Sequence, residues 1–191
     1  AGIGGQFYNT TITSNEVSGY AAGVGLAFQD YLSRGMDTIN VTNNTFTGNA
    51  VGVYVNHNIA GLGITVNNNS IAGNPSGGVL YGASGAGTLD ASANWWGDNT
   101  PAGVAAEVGA NVDYTPWLNT STDTSGDPGF QGDFSYLNVD DNSPQTGSGG
   151  RIQEGVDLVT ASTVHVLAGT YVEQVVITDS LVSATSSVFA Q

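Results

Sequence analysis

The basic side chains of this sequence are few, and they limit the chemistry that it can perform. There is no lysine, and the two arginines are Arg34 and Arg151. β-Elimination on an acidic polysaccharide requires a basic group that removes the α-proton, usually beside an acidic calcium cluster. Arg34 lies in Tyr-Leu-Ser-Arg-Gly, which reads as an excursion between structural elements, and Arg151 precedes a candidate helix, where it would neutralise neighbouring acids. The arginines therefore do not predict a lyase centre.

The acidic and imidazole side chains predict no catalytic or metal site either. Glycoside hydrolases use paired or clustered carboxylates, and the adjacent pair Asp140-Asp141 lies in the loop-like sequence Asn-Val-Asp-Asp-Asn-Ser-Pro. His57 has no His or Cys nearby, and His165 alternates with valines, so we expect it to face outward on a strand. Three further acids lie in polar loops that match no calcium motif: Asp123, Asp127 and Asp133. We expect no catalytic residue, no metal and no cofactor.

Hydrogen bonding between asparagine amides is the chemistry that the spacing does predict. One phrase recurs around Asn15, Asn44, Asn69 and Asn94, at intervals of 29, 25 and 25 residues. An apolar residue follows each asparagine by two positions, and three of the four phrases lead on to Gly-Val, first at Gly23-Val24. On coils stacked about 4.8 Å apart, each amide can bond the next along the axis. We predict an inward-facing asparagine ladder; the alternative is four unrelated turn residues in an Asn-rich chain.

The elements that must hold this ladder are short β-strands. The runs Thr-Ile-Asn-Val-Thr, Val-Gly-Val-Tyr-Val and Gly-Ile-Thr-Val alternate along the chain, and alternation places every second side chain on one face. Glycine and asparagine separate the runs, where turns and left-handed backbone are needed. No window keeps apolar residues at the spacing of a long helix. A period of this size with short β-runs indicates an all-β solenoid.

Composition favours an extracellular β protein and excludes several partners. The chain has 28 glycines, 16 acidic residues, no cysteine and a net charge of −14. Nucleic acids and anionic membrane surfaces both require lysine and arginine. No apolar stretch approaches the roughly 20 residues of a membrane span. The sequence begins at Ala1 without a signal peptide, which fits a processed protein or a piece of a longer one.

Three segments follow one another along the chain. Residues 1–118 hold the repeats and are expected to form the coils of a solenoid. Residues 119–132 are polar and read as a linker or long loop. Residues 133–191 start afresh. In this last segment we predict a strand at 135–140, a short helix near 151–159, and strands at 163–167 and 171–178.

Two parts of the chain resemble the two ends of a known architecture. The sequence from Leu89 through Asn-Trp-Trp-Gly to Val-Asp-Tyr-Thr-Pro-Trp-Leu resembles the last coils of right-handed parallel β-helix domains of bacterial surface proteins, in the pectin-lyase-like superfamily. Residues 135–177, with Arg-Ile-Gln-Glu-Gly-Val-Asp and Val-His-Val-Leu-Ala-Gly-Thr-Tyr-Val-Glu, resemble the first coil and cap. The resemblance implies a right-handed parallel β-helix with a short capping helix. It implies little about function, because this fold hosts lyases, hydrolases, adhesins and spacers.

The order of these two parts predicts head-to-tail assembly. The part that resembles a beginning follows the part that resembles an end. Because an open β-helix end exposes unpaired backbone groups, we expect the C-terminal segment of one unit to add strands to the first coil of the next, as an open filament. Separate subunits and one polypeptide with a 191-residue repeat fit equally. The alternatives are a piece cut from two tandem domains and a segment that folds back on its own chain. The predicted junction contains Val175, Ile177, Val188 and Phe189 of one unit and Ile3, Phe7 and Ile12 of the next.

Aromatic and asparagine side chains raise two hypotheses about sugars. Trp96 is expected inside the solenoid, and Trp95 either exposed for stacking on sugar rings or covered by residues 112–118 with Trp117; we favour the covered position. Five Asn-x-Ser/Thr acceptors and Ser/Thr-rich stretches make a glycan coat a second hypothesis. The acceptors are Asn9, Asn40, Asn43, Asn68 and Asn119.

These observations together predict a structural unit of an extracellular filament or surface stalk, whose partner is another copy of itself, and not an enzyme. The first alternative is a carbohydrate-binding adhesin, and the second is a polysaccharide lyase or hydrolase. Covalent or bound glycans are a further candidate partner. We expect no nucleic acid partner and no membrane insertion.

Overall fold

The computed structural model describes residues 1–29, 36–82, 87–160 and 163–178, together with the backbone of 183–186. Its strands stack in parallel coils as a β-solenoid of about 6 turns, with two short helices in the described residues. Arg34, which was considered for catalysis, and the predicted junction residues Val188 and Phe189 lie outside the described residues.

The first part of the chain winds through successive coils. The first coil has β1 (Ile3–Gly5), β2 (Thr10–Thr13) and β3 (Glu16–Ser18), and the second has β4 (Val24–Gln29), β5 (Ile39–Thr42) and β6 (Thr45–Thr47). The third coil has β7 (Val51–Asn56) and β8 (Ile64–Asn67), and the fourth has β9 (Val79–Tyr81) and β10 (Leu89–Asp90). Helix α1 (Pro101–Glu107) and strands β11 (Val112–Asp113) and β12 (Trp117–Leu118) follow.

Parallel pairing arranges these strands as three sheets. The first sheet has the order β1-β4-β7-β9, and the second has the order β11-β10-β8-β5-β2. The third sheet pairs β3 with β6 and continues as single bridges from Thr45 to Ser70 and from Ser70 to Trp95. Each sheet therefore runs along the solenoid axis.

The stacking brings similar apolar residues into columns inside the coils. In the second sheet Ile39 pairs with Ile64, and both are buried. The apolar residues that follow the asparagines, Phe46, Ile71 and Trp96, are also buried. Each such side chain contributes roughly 1.5–3 kcal/mol by leaving water. The alternation read from the sequence thus corresponds to an inward-facing and an outward-facing set.

Gly52, which precedes the inward-facing Val53, is required by the close approach of neighbouring coils. A Cβ on Gly52 would lie 2.6 Å from the Gly78 carbonyl oxygen and 2.7 Å from the Ile71 side chain. In the first pair of coils Leu26 lies beside Val53. The Gly23-Val24 alignment expected from sequence is therefore wrong by two residues, because the turn closed by the Gly23 N–H to Tyr20 carbonyl bond holds two extra residues.

Helix α1 lies at the far end of the first sheet and was not predicted. The Thr100 hydroxyl accepts a hydrogen bond from the Gly103 amide at 3.2 Å, and Pro101 occupies the first turn. Thr-Pro is a helix-start signal that the sequence did offer. Val104 is buried, and Val108 bridges to Val79 of β9. The end of the helix and the residues that follow it, 107–109, thus pair with the outer edge of β9.

The rest of the chain forms a second stack of strands. It contains β13 (Tyr136–Val139), α2 (Arg151–Leu158), β14 (Thr163–Val166) and β15 (Ser183–Ser186). β13, β14 and β15 pair in parallel, whereas β12 pairs with β13 in the antiparallel sense. On α2, Ile152 and Val156 pack against a small core that contains Val139 and Val164.

Residues 171–178, which we call the 171–178 segment, do not form the strand that alternation predicts. A strand requires a neighbour for its ladder of backbone bonds. In the described structure the side chain of Gln153 on α2 bonds to this segment, and β15 is the strand that pairs next to β14. The segment is largely exposed.

Candidate functional site

The four predicted asparagines lie one above another at the corner between the second and third sheets. The Asn15 amide nitrogen donates to Asn44 Oδ1 at 2.9 Å, Asn44 donates to Asn69 at 3.0 Å, and Asn69 donates to Asn94 at 3.1 Å. Each acceptor oxygen also receives the backbone N–H of the asparagine before it. Asn44, Asn69 and Asn94 are fully buried, and Asn15 is half-buried. The ladder joins the coils through side chains as well as through strands.

A second ladder, which sequence reasoning missed, lies at the next corner. Asn49 donates to Asn74 Oδ1 at 3.2 Å from its side chain and at 3.2 Å from its backbone. Tyr20, in the preceding coil, donates its backbone N–H to Asn49 Oδ1. The same 25-residue spacing would have revealed this pair. The third position in the series, Asn99, is exposed and bonds instead to Asn119.

The carboxylates and the imidazole that were considered for catalysis form hydrogen bonds with nearby backbone and side-chain groups. Asp140 is buried, and its Oδ1 accepts from the Asn142 backbone at 3.1 Å. Asp141 accepts from the Thr170 N–H at 2.6 Å. His165 lies on the half-buried face of β14, with Nδ1 3.0 Å from Asn138 Oδ1. His57 is half-buried. These groups do not converge on one place.

Arg151 and three acids in or next to the polar segment 119–132 were also considered as site residues. The Arg151 guanidinium donates to the Ser143 carbonyl, with Nε at 3.1 Å. Asp123 Oδ1 accepts from the Gln131 N–H, and Asp133 Oδ1 accepts from the Ser135 N–H. Asp127 is exposed. Within the described ranges, no group of three or more His, Cys, Asp or Glu side chains is placed to hold a metal ion.

The tryptophans occupy the interior and the contact between the two stacks. Trp96 and Trp117 are buried in the main core, and Trp117 Nε1 donates to the Asn99 carbonyl at 3.3 Å. Trp95 is half-buried and packs with Leu118 and Leu137. Trp95 is thus covered by β12 and β13 where these two strands meet.

The candidate glycosylation sites differ in exposure. Asn9 and Asn40 are exposed, whereas Asn43, Asn68 and Asn119 are half-buried. The polar loop crosses the corner that carries Asn43 and Asn68. There the Phe130 N–H donates to the Asn43 carbonyl at 3.1 Å, and the Gly132 N–H donates to Asn68 Oδ1 at 3.0 Å. Asn9 and Asn40 are therefore the better placed acceptors.

An acidic groove lies between the second sheet and α2. Its volume is about 780 Å³. Glu154 Oε2 in this groove accepts from Gln145 Nε2 at 3.0 Å. Burial raises the pKa of Glu154 to about 7, and the negative charges of Asp113 and Asp90 add to this increase. Hydrogen bonds from Gln145 and Ser92 act in the opposite direction and lower the pKa. The outward-facing side chains that line the groove include Thr65, Asn67, Asp90, Ser92, Gln145 and Glu154.

Asp113 fixes the loop that leads into α2. It is fully buried and accepts from the Ser143 hydroxyl at 3.0 Å and from the Thr146 N–H and hydroxyl at 2.6 and 2.9 Å. Burial raises its pKa, although these bonds oppose the increase. Sequence reasoning missed the grouping of Asp90, Asp113 and Glu154, because no local motif joins residues so far apart in the chain.

The described residues of the predicted junction lie on or between the edge strands of the first coil and on the 171–178 segment. β1, β2 and β3 are each the outermost strand of their sheets. Ile3 and Phe7 are half-buried at this end, and Ile12 is buried. Along the other surface, the 171–178 segment exposes Val175 and Ile177 to 36% and 49%. Val172 and Val176 of the same segment are 95% and 52% exposed.

No described helix is long and apolar enough to cross a membrane. Comparison of the chain with protein-family models, with curated proteins and with solved structures finds no match.

Proposed function

We propose that this protein is a structural, non-enzymatic unit of an extracellular filament or surface stalk, in which units join head to tail by β-strand addition. The observation that carries the proposal is the open first coil, where β1, β2 and β3 all lie at the edge of their sheets. Three parallel edges at one end present unpaired backbone donors and acceptors to the next molecule. α1 lies at the opposite end of the first sheet, so the two ends differ.

The surface that fits this open coil is the C-terminal part of a second copy. β15 is the outermost strand of its sheet and runs parallel to β14. The exposed apolar residues of the 171–178 segment form a run of the kind that marks an interaction surface. Strand addition would pair both sets of edges and bury this apolar surface.

The acidic, glycine-rich composition supports an extracellular location for this unit. The resemblance of residues 89–118 and 135–177 to right-handed β-helix proteins of bacterial surfaces supports a relationship to the pectin-lyase-like superfamily. The net charge of −14 keeps separate units soluble and opposes their association at low salt. Exposed Asn9 and Asn40 are the sites at which we propose a glycan coat.

Electron microscopy of the purified protein, at low and at 0.5 M salt, tests the proposal. We expect unbranched fibres that lengthen with salt, because salt screens the repulsion between acidic units. About 6 turns at about 4.8 Å each give an axial repeat of roughly 30 Å. Discrete monomers at every protein and salt concentration would overturn the proposal.

The groove favours one second candidate function, the binding of a neutral carbohydrate. Its amide, hydroxyl and carboxylate groups can bond sugar hydroxyls, and its acids disfavour anionic sugars. Titration calorimetry with neutral oligosaccharides should then show binding that Asn67→Ala weakens at least about tenfold, or 1.4 kcal/mol. Thr11→Ala, at an exposed position of β2 on the same sheet and outside the groove, is the control. Absence of heat from any neutral oligosaccharide would remove this candidate.

A further inference from the structure

The 171–178 segment is held in place by α2. Gln153 Nε2 donates to the Val176 carbonyl at 3.2 Å, and the Val176 N–H donates to Gln153 Oε1 at 2.6 Å. The Glu173 carboxylate accepts the Ile152 and Gln153 N–H groups at 3.1 and 3.0 Å. Because these four bonds all connect to the start of α2, a movement of the helix would move the segment with it.

Glu154, the next residue of α2, faces the groove beside the second sheet. Its carboxyl group enters the groove and bonds to Gln145, beside Ser92 of the turn that follows β10. The Gln145 amide keeps a buried Oε1 that has no hydrogen-bond partner among the described residues. Gln145 Nε2 also donates to the Thr146 carbonyl at 3.1 Å, so two acceptors fix the orientation of this amide. An ionised Glu154 adds a third negative charge near Asp90 and Asp113, whereas a neutral carboxyl does not.

We propose that Glu154 is a pH-controlled latch: its neutral form seats α2 on the solenoid and so positions the 171–178 segment, and its ionised form loosens that seat. The inference deepens the proposed function and rests on it in one respect, that the positioned segment is the surface on which the next unit docks. Assembly is then favoured in mildly acidic solution and weakened in alkaline solution.

The charged groups around Glu154 set the sign of this dependence. Asp90 of β10 and Asp113 of β11 face it from the solenoid, and both disfavour its ionisation. On α2 itself, Asp157 bonds to Gln153, and the Arg151 guanidinium is directed to the Ser143 carbonyl. At the start of the helix, Glu173 adds a further negative charge.

The pH window follows from the pKa of Glu154, which burial raises from 4.5 to about 7 in the seated helix. A released helix returns this carboxyl to its ordinary pKa. Between these two values the seated state binds a proton that the released state has lost, so the seat weakens as pH rises through this interval. Below it the stabilisation is complete, and above about 7 no further loss is expected from this group.

Hydrogen exchange of unassembled protein at pH 5.5 and 8.5, expressed as protection factors, tests the latch directly. We expect the amides of α2 to lose protection at least about tenfold at pH 8.5 in the unmodified protein. Glu154→Gln should keep its protection at both pH values, because a neutral side chain of similar shape replaces the acid. Asp127→Asn removes the same charge from an exposed residue of the polar segment 119–132, away from the groove, and should behave like the unmodified protein.

Filament mass, measured in parallel by sedimentation at both pH values, separates the two proposals. If α2 loses protection at pH 8.5 but no filaments form at either pH, the latch proposal stands and the filament proposal is wrong. If filaments form but the protection of α2 does not depend on pH, the filament proposal stands and the latch proposal is wrong. Loss of protection with equal filament mass at both pH values would overturn the control of assembly. The unmodified protein alone decides these outcomes, even if Glu154→Gln fails to fold.

Discussion

Replacing Asn69 by alanine should lower the free energy of unfolding by about 4 kcal/mol, because several buried groups lose their partners together. Asn69 Oδ1 accepts two N–H groups of Asn44, and its amide donates to the Val41 carbonyl and to Asn94 Oδ1. The site is fully buried, so water cannot replace these bonds. Urea unfolding followed by circular dichroism measures the change.

Two matched variants separate the ladder from a simple loss of volume. Asn69→Asp keeps the size and the acceptor but loses the amide donor, and it places a charge against Asn94 Oδ1, so it should destabilise at least as much as alanine. Asn40→Ala, at an exposed position on the adjoining strand β5, should change stability by less than about 0.5 kcal/mol. If Asn69→Ala proves as mild as Asn40→Ala, the ladder contributes little to stability.

Thr11→Pro should abolish filaments while the monomer stays folded. The Thr10 N–H donates to the Thr38 carbonyl and the Ser14 N–H donates to the Asn43 carbonyl, both towards the second coil. Because backbone groups alternate along a strand, the Thr11 N–H points to the open edge. Proline at an edge position removes that donor without breaking the internal ladder. Sedimentation velocity should then show monomers where the unmodified protein forms large species.

The control at the same position is Thr11→Val, which keeps the backbone N–H and the β-branched side chain and should assemble normally. A small fraction of Thr11→Pro added to unmodified protein should also shorten the fibres, because the variant can add through its intact C-terminal part and then stops growth. Fibres of undiminished length in both experiments would contradict strand addition at the first coil.

The opposite surface can be blocked independently with Ile177→Asp, at a half-exposed residue of the 171–178 segment. A mixture of this variant with Thr11→Pro retains one intact surface of each kind. We therefore expect heterodimers that do not grow further, and monomers from either variant alone. This outcome would distinguish a head-to-tail contact from association through like surfaces.

The coiled part of the fold could be predicted because its signal is repeated. Asn15, Asn44, Asn69 and Asn94 have nearly constant spacing, and each coil packs on a coil of similar sequence. The same repetition contained Asn49 and Asn74, which were overlooked. The Thr-Pro start of α1, a local signal outside the repeat, was overlooked as well. The Gly23-Val24 alignment failed because a turn can hold two extra residues without changing the strands on either side.

Sequence alone thus determined the parallel β-solenoid, the register of its asparagines and the inward position of Trp96. These follow from local alternation and a period, which act between neighbouring coils. Only the tertiary structure decided that β12 and β13 pair in the antiparallel sense, that residues 171–178 rest on α2 as an exposed segment, and that the charges of Asp90 and Asp113 act on Glu154. Those features depend on how non-repeating segments pack across the solenoid, and no spacing along the chain records that contact.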